Sequence, residues 1–243
     1  MIQAGGAINF RDLIAFSALG LFRGSVFRTG TLAGLDRESA RQLVGQTSLR
    51  GFVDLRTVQE RERDGEATRL AEAGVVVHHH PIDEGRTRVR AHRDPSPEDY
   101  AQSYVAMLDL AAAALGTVLD LIALGQLPLA FGCTAGKDRT GVVAALLLAC
   151  LGAEEDAIVE DYAATTSALA GHLGAFEAHW TRKGLSPQAY AARLVAHPQA
   201  MRTFLGAVRA SASTIPAALA ARGISPARIE RASQRLRVNR LVP

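Results

Sequence analysis

The sequence predicts an α/β protein, with a central, mostly parallel sheet flanked by helices and a helical subdomain or lid toward the C-terminus. Three observations predict it. Short β-branched or aromatic runs alternate with helical segments through the first half of the chain. An apolar run, a glycine-containing turn and a long apolar helix then follow one another between Leu127 and Leu151. Beyond Glu154 the pattern is helical throughout, broken by Gly171, Gly174, Gly184 and several prolines.

Taken in order, Ser25 to Thr29 and Gly51 to Leu55 read as strands. Asp36 to Val44 between them reads as a helix with Asp36 at its N-cap. Val75 to His79 is the next strand, completing a β, α, β rhythm that favours parallel pairing. Gly85 to Pro97 is a polar connection carrying Arg86, Arg88, Arg90 and Arg93, either a solvated loop or a surface that steers anions or touches an acidic membrane. Ser96-Pro97-Glu98-Asp99 supplies a cap, a first-turn proline and an acidic third position, so a long helix is expected from there to about Leu124. Leu127 to Phe131 forms a strand and Val142 to Leu151 a helix. Further helices cover Glu154 to Ala170, Pro187 to Leu194, Pro198 to Ala210 and the ending from Ile224 to Leu236, the last with Ser225 as cap. A single domain over 1–243 is expected, with 163–210 either a lid over the site or a packed helical subdomain.

At 48% hydrophobic and 21% charged residues the chain is globular rather than disordered. A formal charge of +3 without interleaved aromatic and basic residues gives no footprint for nucleic acid. No apolar run reaches transmembrane length, and Met1 to Gly6 lacks a basic region followed by a hydrophobic segment. A soluble, cytoplasmic protein without integral membrane association is therefore expected. The two cysteines, Cys133 and Cys150, make no disulfide framework and suit a reducing compartment.

The chemistry concentrates in Phe131 to Gly141, FGCTAGKDRTG, where a strand hands a loop to a helix N-terminus. Backbone N–H groups in such a turn, together with the helix dipole, hold an oxyanion. Cys133 and Arg139 are separated by five residues, a spacing that sets a thiolate beneath a bound anion while the guanidinium grips two of its oxygens. Thr134, Ala135, Gly136 and Lys137 complete the cradle, with Gly136 allowing close backbone approach. Thr140 is a hydroxyl donor to the sulfur, a helix cap, or both. Cys150 sits in an apolar helical run and reads as core.

This loop resembles the phosphate-binding signature of the cysteine-dependent protein tyrosine and dual-specificity phosphatases. Its Lys137-Asp138 pair is similar to the bacterial tyrosine/lipid phosphatase family within them. Asn9-Phe-Arg-Asp12, Phe27-Arg-Thr-Gly30, Val53-Asp-Leu-Arg56 and Asp161-Tyr162 resemble further landmarks of that family. The resemblance implies a dual-specificity-phosphatase-like fold and hydrolysis of phosphotyrosine through a cysteinyl-phosphate, extending to phosphoserine, phosphothreonine or phosphoinositides. Phosphorylated proteins or phosphoinositides are then the partners. The resemblance places a general acid at Asp138, with Asp83 on a separate loop as the alternative. It makes Lys137 a candidate contact to a second phosphate.

One position departs from the family, which has histidine where this chain has Gly132. Loss of the histidine's hydrogen bonds and added flexibility are expected to slow turnover, which leaves a phosphate-binding regulatory protein as the alternative function. A sulfurtransferase fits the loop spacing less well. Arg11, Asp12, Arg56 and Glu60 read as buried ion-pair scaffolding, Arg56 as a buttress of the loop. His78-His79-His80 puts only two imidazoles on one strand face and lacks partner ligands, so no metal site is assigned, and the thiol chemistry needs no cofactor.

Overall fold

Successive side chains on a strand face opposite ways, and that alternation builds two apolar layers here. Val26, Val53, Leu129 and Phe131 enter one cluster, whereas Phe27, Phe52 and Ala130 enter another. Both faces of the sheet are thus covered, as near-continuous apolar strands require.

In the computed structural model, which describes residues 6–16, 19–83 and 95–238, the chain begins with β1 (Arg11–Asp12), a 3-10 turn at Ile14–Phe16 and β2 (Val26–Thr29). Then come α1 (Arg37–Thr47), β3 (Gly51–Asp54), α2 (Val58–Asp64), α3 (Thr68–Glu72) and β4 (Val76–His79). The middle of the chain supplies α4 (Pro97–Ala106), α5 (Leu108–Ala123), β5 (Leu129–Gly132) and α6 (Asp138–Cys150). The rest is helical: α7 (Glu155–Leu169), a 3-10 turn at Leu173–Phe176, α8 (Glu177–Arg182), α9 (Pro187–Leu194), α10 (Pro198–Ala212), α11 (Ile215–Ala220) and α12 (Pro226–Val238).

The sheet has five strands in the order β1-β2-β5-β3-β4, parallel except for β1. The expected α/β architecture is therefore observed, with one antiparallel edge strand that the sequence reading did not include. β5 lies between β2 and β3, and Gly132 is in register with Thr29 on one side and Asp54 on the other. The C-terminal ends of these three strands align, the position at which parallel α/β sheets carry their sites.

Local signals explain most of the elements. Asp36 caps α1 by accepting from Ser39 N at 2.7 Å, and Ser48 ends it in the left-handed region. Ser96 and Asp99 close a reciprocal capping box on α4, with Pro97 at the first helical position. The single long helix expected up to Leu124 is instead two, α4 and α5, bent by 65°. Each half has its own partner, since α4 packs on α10 while α5 packs on α6 and α12. Among the described residues no single helix is long and apolar enough to cross a membrane.

Beneath the sheet's C-terminal edge lies a buried ionic knot. Arg11 and Arg28 both bind the Asp161 carboxylate from α7, Arg11 Nε reaching Oδ1 at 3.0 Å and Arg28 Nη1 reaching Oδ2. Arg11 also donates to the Asp161 carbonyl at 2.6 Å and to the Thr165 hydroxyl at 3.0 Å. Burial, and then the neighbouring Arg28, lower the Arg11 pKa to about 10, while Asp161 opposes the shift; the guanidinium stays charged at neutral pH. Removing the one carboxylate leaves two buried cations unpaired. Asp161→Asn is expected to destabilise the protein by about 3–5 kcal/mol, read as a lower urea midpoint with an unchanged m-value.

Candidate active site

β5 ends at Gly132, and residues 133–137 turn into the N-terminus of α6. The turn is built against the end of β2. A Cβ on Gly136, whose φ is +70°, would lie 2.5 Å from the Thr29 carbonyl oxygen. On Gly132 it would lie 2.6 Å from the same oxygen and 2.7 Å from that of Gly30. Only glycine lets two backbones come this close. This corrects the expectation of a flexible loop base: Gly132 is paired on both sides and hemmed in by backbone, so a histidine side chain has no room there.

Neighbouring segments then pin the turn. Asn9 Nδ2 donates to the carbonyls of Ala135 at 3.0 Å and Gly136 at 2.9 Å, and Arg28 Nη2 donates to Gly136 at 2.6 Å. Thr31 N donates to the Thr134 carbonyl at 3.0 Å. Asn9 has a φ of +58°, which its short polar side chain tolerates. With these carbonyls taken from below, the N–H groups of Thr134, Ala135 and Gly136 make no hydrogen bond among the described residues and remain as donors for an anion.

Above the turn is a cavity of about 500 Å³. Cys133, Thr134, Ala135, Lys137, Asp138 and Arg139 all line it, so the structure brings together six of the eight residues expected from the sequence. The other two support it from behind: Gly136 against Thr29, and Thr140, whose Oγ1 accepts the Cys133 N–H at 2.9 Å. The rest of the lining is strongly cationic. Arg63, Lys137, Arg139, Arg182, Lys183 and Arg193 face it, against the carboxylates of Glu60 and Asp138. A low-dielectric cleft of one sign attracts anions.

Arg139 is held by its terminal edge. Its Nη1 donates to Glu60 Oε2 at 2.5 Å and its Nη2 to Oε1 at 2.8 Å, while the Thr134 hydroxyl also donates to Oε1 at 3.1 Å. Glu60 is itself fixed by a capping box with Thr57 at the start of α2. Burial alone would raise the Glu60 pKa, but the Arg139 guanidinium, the Thr57 N–H and the Thr134 hydroxyl together take it far below the ordinary carboxylate range. The pair's contribution to stability is thus fully present above the ordinary value of 4.5 and is lost only as strong acid brings the pH through the folded value.

Asp138 opens α6 with one carboxylate oxygen in the grip of its surroundings: Oδ1 accepts the Tyr104 hydroxyl at 2.6 Å and lies 3.4 Å from Lys137 Nζ. Lys137 is almost fully buried, donating to the Val195 carbonyl at 3.1 Å and sitting 3.8 Å above the Tyr100 ring. The loop lysine thus ties the turn to the end of α9. The other candidate acid, Asp83, is exposed beyond β4 and is not among the residues lining the cavity.

The remaining expected residues separate clearly. Arg56 turns back on Asp54, its Nη2 donating at 2.7 Å, so Arg28 and Asn9 buttress the loop in its place. Asp12 makes no ion pair among the described residues; it accepts the N–H groups of Ile14 at 3.0 Å and Gly24 at 2.8 Å. His78, His79 and His80 go to three different partners, Gln126, the Arg56 carbonyl and Thr117. Burial pushes the Cys150 thiol up to about 12. Within 163–210, only the stretch from α8 to α9 lines the cavity, through His179, Arg182, Lys183, Tyr190, Arg193 and Leu194, whereas α10 sends Met201, Phe204, Leu205 and Val208 into the main core. Arg86, Arg88, Arg90 and Arg93 lie outside the described residues.

Two contributors were missed in the sequence. Glu60 was read as scaffold, although Thr57-x-x-Glu60 is a legible capping box that fixes its direction. Tyr104 carried no signal beyond sharing a helix face with Tyr100.

Known proteins match this chain as follows. A model described as the tyrosine phosphatase family matches residues 2–238. The triple specificity protein phosphatase PtpB of Mycobacterium tuberculosis is 31% identical over 187 residues, covering 65% of this chain and 66% of that protein, just short of two thirds of its length. Among solved structures, the core catalytic domain of the PP-IP phosphatase SIW14 from S. cerevisiae aligns with a TM-score of 0.38 and 14% identity over 63% of this chain and 73% of its own. TpbA of P. aeruginosa aligns with a TM-score of 0.34 and 16% identity over 75% of this chain and 88% of its own. The two structural overlaps are partial, and the family assignment rests on the sequence matches.

Two outcomes are expected from these contacts. Glu60→Gln keeps the size of the side chain but lets Arg139 drift, and should lower kcat/KM on an aryl phosphate by about 10- to 100-fold with a native circular dichroism spectrum. Gly132→Ala should cost about 1–3 kcal/mol in urea denaturation through overpacking, and Gly132→His should bring a loss of activity, not a gain.

Proposed function

The chain belongs to the tyrosine phosphatase family, and from that premise we propose that it is a cysteine-dependent phosphatase hydrolysing phosphotyrosine, with phosphoserine, phosphothreonine and phosphoinositides as further substrates. The observation that carries this reading is the convergence of Cys133, Asp138 and Arg139 on one cationic cavity, with Arg139 clamped by Glu60. Phosphate esters are so slow to hydrolyse that an enzyme works mainly by positioning and charge stabilisation. This site is arranged for both.

The Cys133 thiolate attacks phosphorus, so that an S–P bond forms as the bond to the leaving oxygen breaks. Asp138 gives that oxygen its proton. Water then attacks the cysteinyl-phosphate, passing a proton back to Asp138; the S–P bond breaks, and inorganic phosphate leaves with the thiolate restored. Glu60 binds the Nη1–Nη2 edge of Arg139 and so sets the plane in which the guanidinium meets the equatorial phosphate oxygens. Because Glu60 stays ionised across the working pH range, this orientation does not titrate away. The N–H groups of Thr134, Ala135 and Gly136 supply the remaining donors. Thr140 accepts the Cys133 N–H, and its own O–H donates a hydrogen bond to the departing thiolate.

Tyr100, Tyr104 and Tyr190 add aromatic walls suited to a phosphorylated ring, and the cationic rim suits acidic peptides or phosphorylated lipid headgroups. The breadth of substrate follows the relative named as triple specificity. We read the chain as one domain in which the α8–α9 stretch roofs the cavity, and the reaction as cytoplasmic, where an unpaired Cys133 stays reduced. The alternative, a phosphate-binding protein of weak turnover, rested on the histidine's lost hydrogen bonds and on a loosened loop base; the tight packing of Gly132 speaks against the second ground.

Phosphate release from an aryl phosphate tests the assignment. Cys133→Ser is expected to lower kcat by about 10⁴-fold or more, and an equally active variant would overturn the mechanism. A panel of phosphotyrosine, phosphothreonine and inositol phosphate substrates then ranks the classes.

A further inference from the structure

Asp138 is required to hold a proton toward the leaving oxygen and to take one back, yet a carboxylate at a helix start can swing about its last two bonds. Among the described residues, one hydrogen bond from another helix fixes it. The Tyr104 hydroxyl, on α4, donates to Oδ1 at 2.6 Å, and no described residue hydrogen-bonds to Oδ2. Behind Tyr104 stands Tyr162 of α7, with 2.6 Å between the two phenol oxygens. Both rings are buried and meet edge to face at 77°.

The direction of this chain is fixed by counting donors. Tyr104 has one proton and gives it to Asp138, so its oxygen must accept, and the Tyr162 hydroxyl must donate. Burial raises both phenols above their ordinary pKa, with the nearby Asp138 charge adding to it, so neither gives up its proton in the working range. Tyr162 is held in turn, because its ring lies against Gly141 of α6, where a Cβ would come within 3.0 Å, and because it follows Asp161 of the buried ionic knot.

We propose that Tyr104, backed by Tyr162, is the positioning residue for the proton donor: it commits Oδ1 of Asp138 to a fixed hydrogen bond and turns Oδ2 to the leaving group. This inference rests on the reading of Asp138 as general acid. The charged and titratable groups described around that carboxyl are Lys137 just before its helix, Tyr100 and Tyr104 from α4, Tyr162 from α7, Cys133 and Arg139 of the turn and α6, Glu60 and Arg63 from α2, and His179, Arg182, Lys183, Tyr190 and Arg193 from the α8–α9 stretch. Of the groups on other elements, Tyr104 is the one whose contact with it is a hydrogen bond. A slack acid costs most where the leaving group is poor and must be protonated as it departs.

The test compares phenyl phosphate, whose leaving group needs the proton, with 2,4-dinitrophenyl phosphate, whose leaving group does not. Tyr104→Phe is expected to lower kcat/KM about 10-fold or more on the first and less than about threefold on the second. Tyr162→Phe should act in the same direction and more weakly. In the Asp138→Asn background, Tyr104→Phe should have no further effect on phenyl phosphate. Equal losses on both substrates, or additive losses in the double variant, would overturn the proposal and leave Asp138 as the acid. If Asp138→Asn itself shows no dependence on leaving group, the acid assignment fails and the positioning role fails with it, while the Cys133→Ser result still stands by itself.

Discussion

The interaction on which the rest of the structure depends is the single carboxylate of Asp161 held between the guanidiniums of Arg11 and Arg28. Two buried cations sharing one anion are tolerable because most of their remaining donors are used, on the Asp161 carbonyl, Thr165, Asn9 and the Gly136 carbonyl, with Arg28 Nε the exception among the described residues. That last bond is what carries the knot into function. Arg28 grips the underside of the turn whose upper side faces the cavity, so the ion pair that joins α7 to the sheet also shapes the anion cradle. The excess positive charge left under the turn has the sign that favours an anion above it.

A second economy concerns the two carboxylates of the cavity. Glu60 and Asp138 face the same space but sit in opposite environments. Glu60 is locked in its charged form by a guanidinium, an N–H and a hydroxyl, and serves only to aim Arg139. Asp138 has one oxygen fixed by a phenol that keeps its own proton, and the other without a hydrogen bond among the described residues. One acid thus stays charged against a guanidinium, while the other faces the cavity from the start of α6, two unlike environments for one kind of side chain.

Much of this was legible in the sequence, for physical reasons that can be named. The strand–turn–helix passage at 127–151 showed because an apolar run, two glycines and an apolar helix leave little else for the chain to do. Cys133 and Arg139 were found by spacing and Asp138 through the family resemblance, and all three line the cavity. What was not legible is tertiary. The 65° bend between α4 and α5 comes from their separate packing partners, and nothing in an alanine-rich helix announces it. The close approach of Gly132 to Thr29 depends on strand neighbours far apart in the chain, so a missing side chain read as looseness when it marks tight contact. Tyr104 is one more aromatic on a buried helix face until Asp138 arrives opposite it.

The turn at 133–137 is held chiefly by residues more than a hundred positions earlier, Asn9 and Arg28, and through them by Asp161. Contacts of such long sequence separation close slowly, after local helices have formed. Cys133 therefore exists in every collapsed form of the chain, whereas the turn around it takes shape only once the N-terminal strands, β5 and α7 have met. Turnover in a refolding sample would then be a late marker, appearing with the final assembly of the fold and lagging behind the return of helical signal.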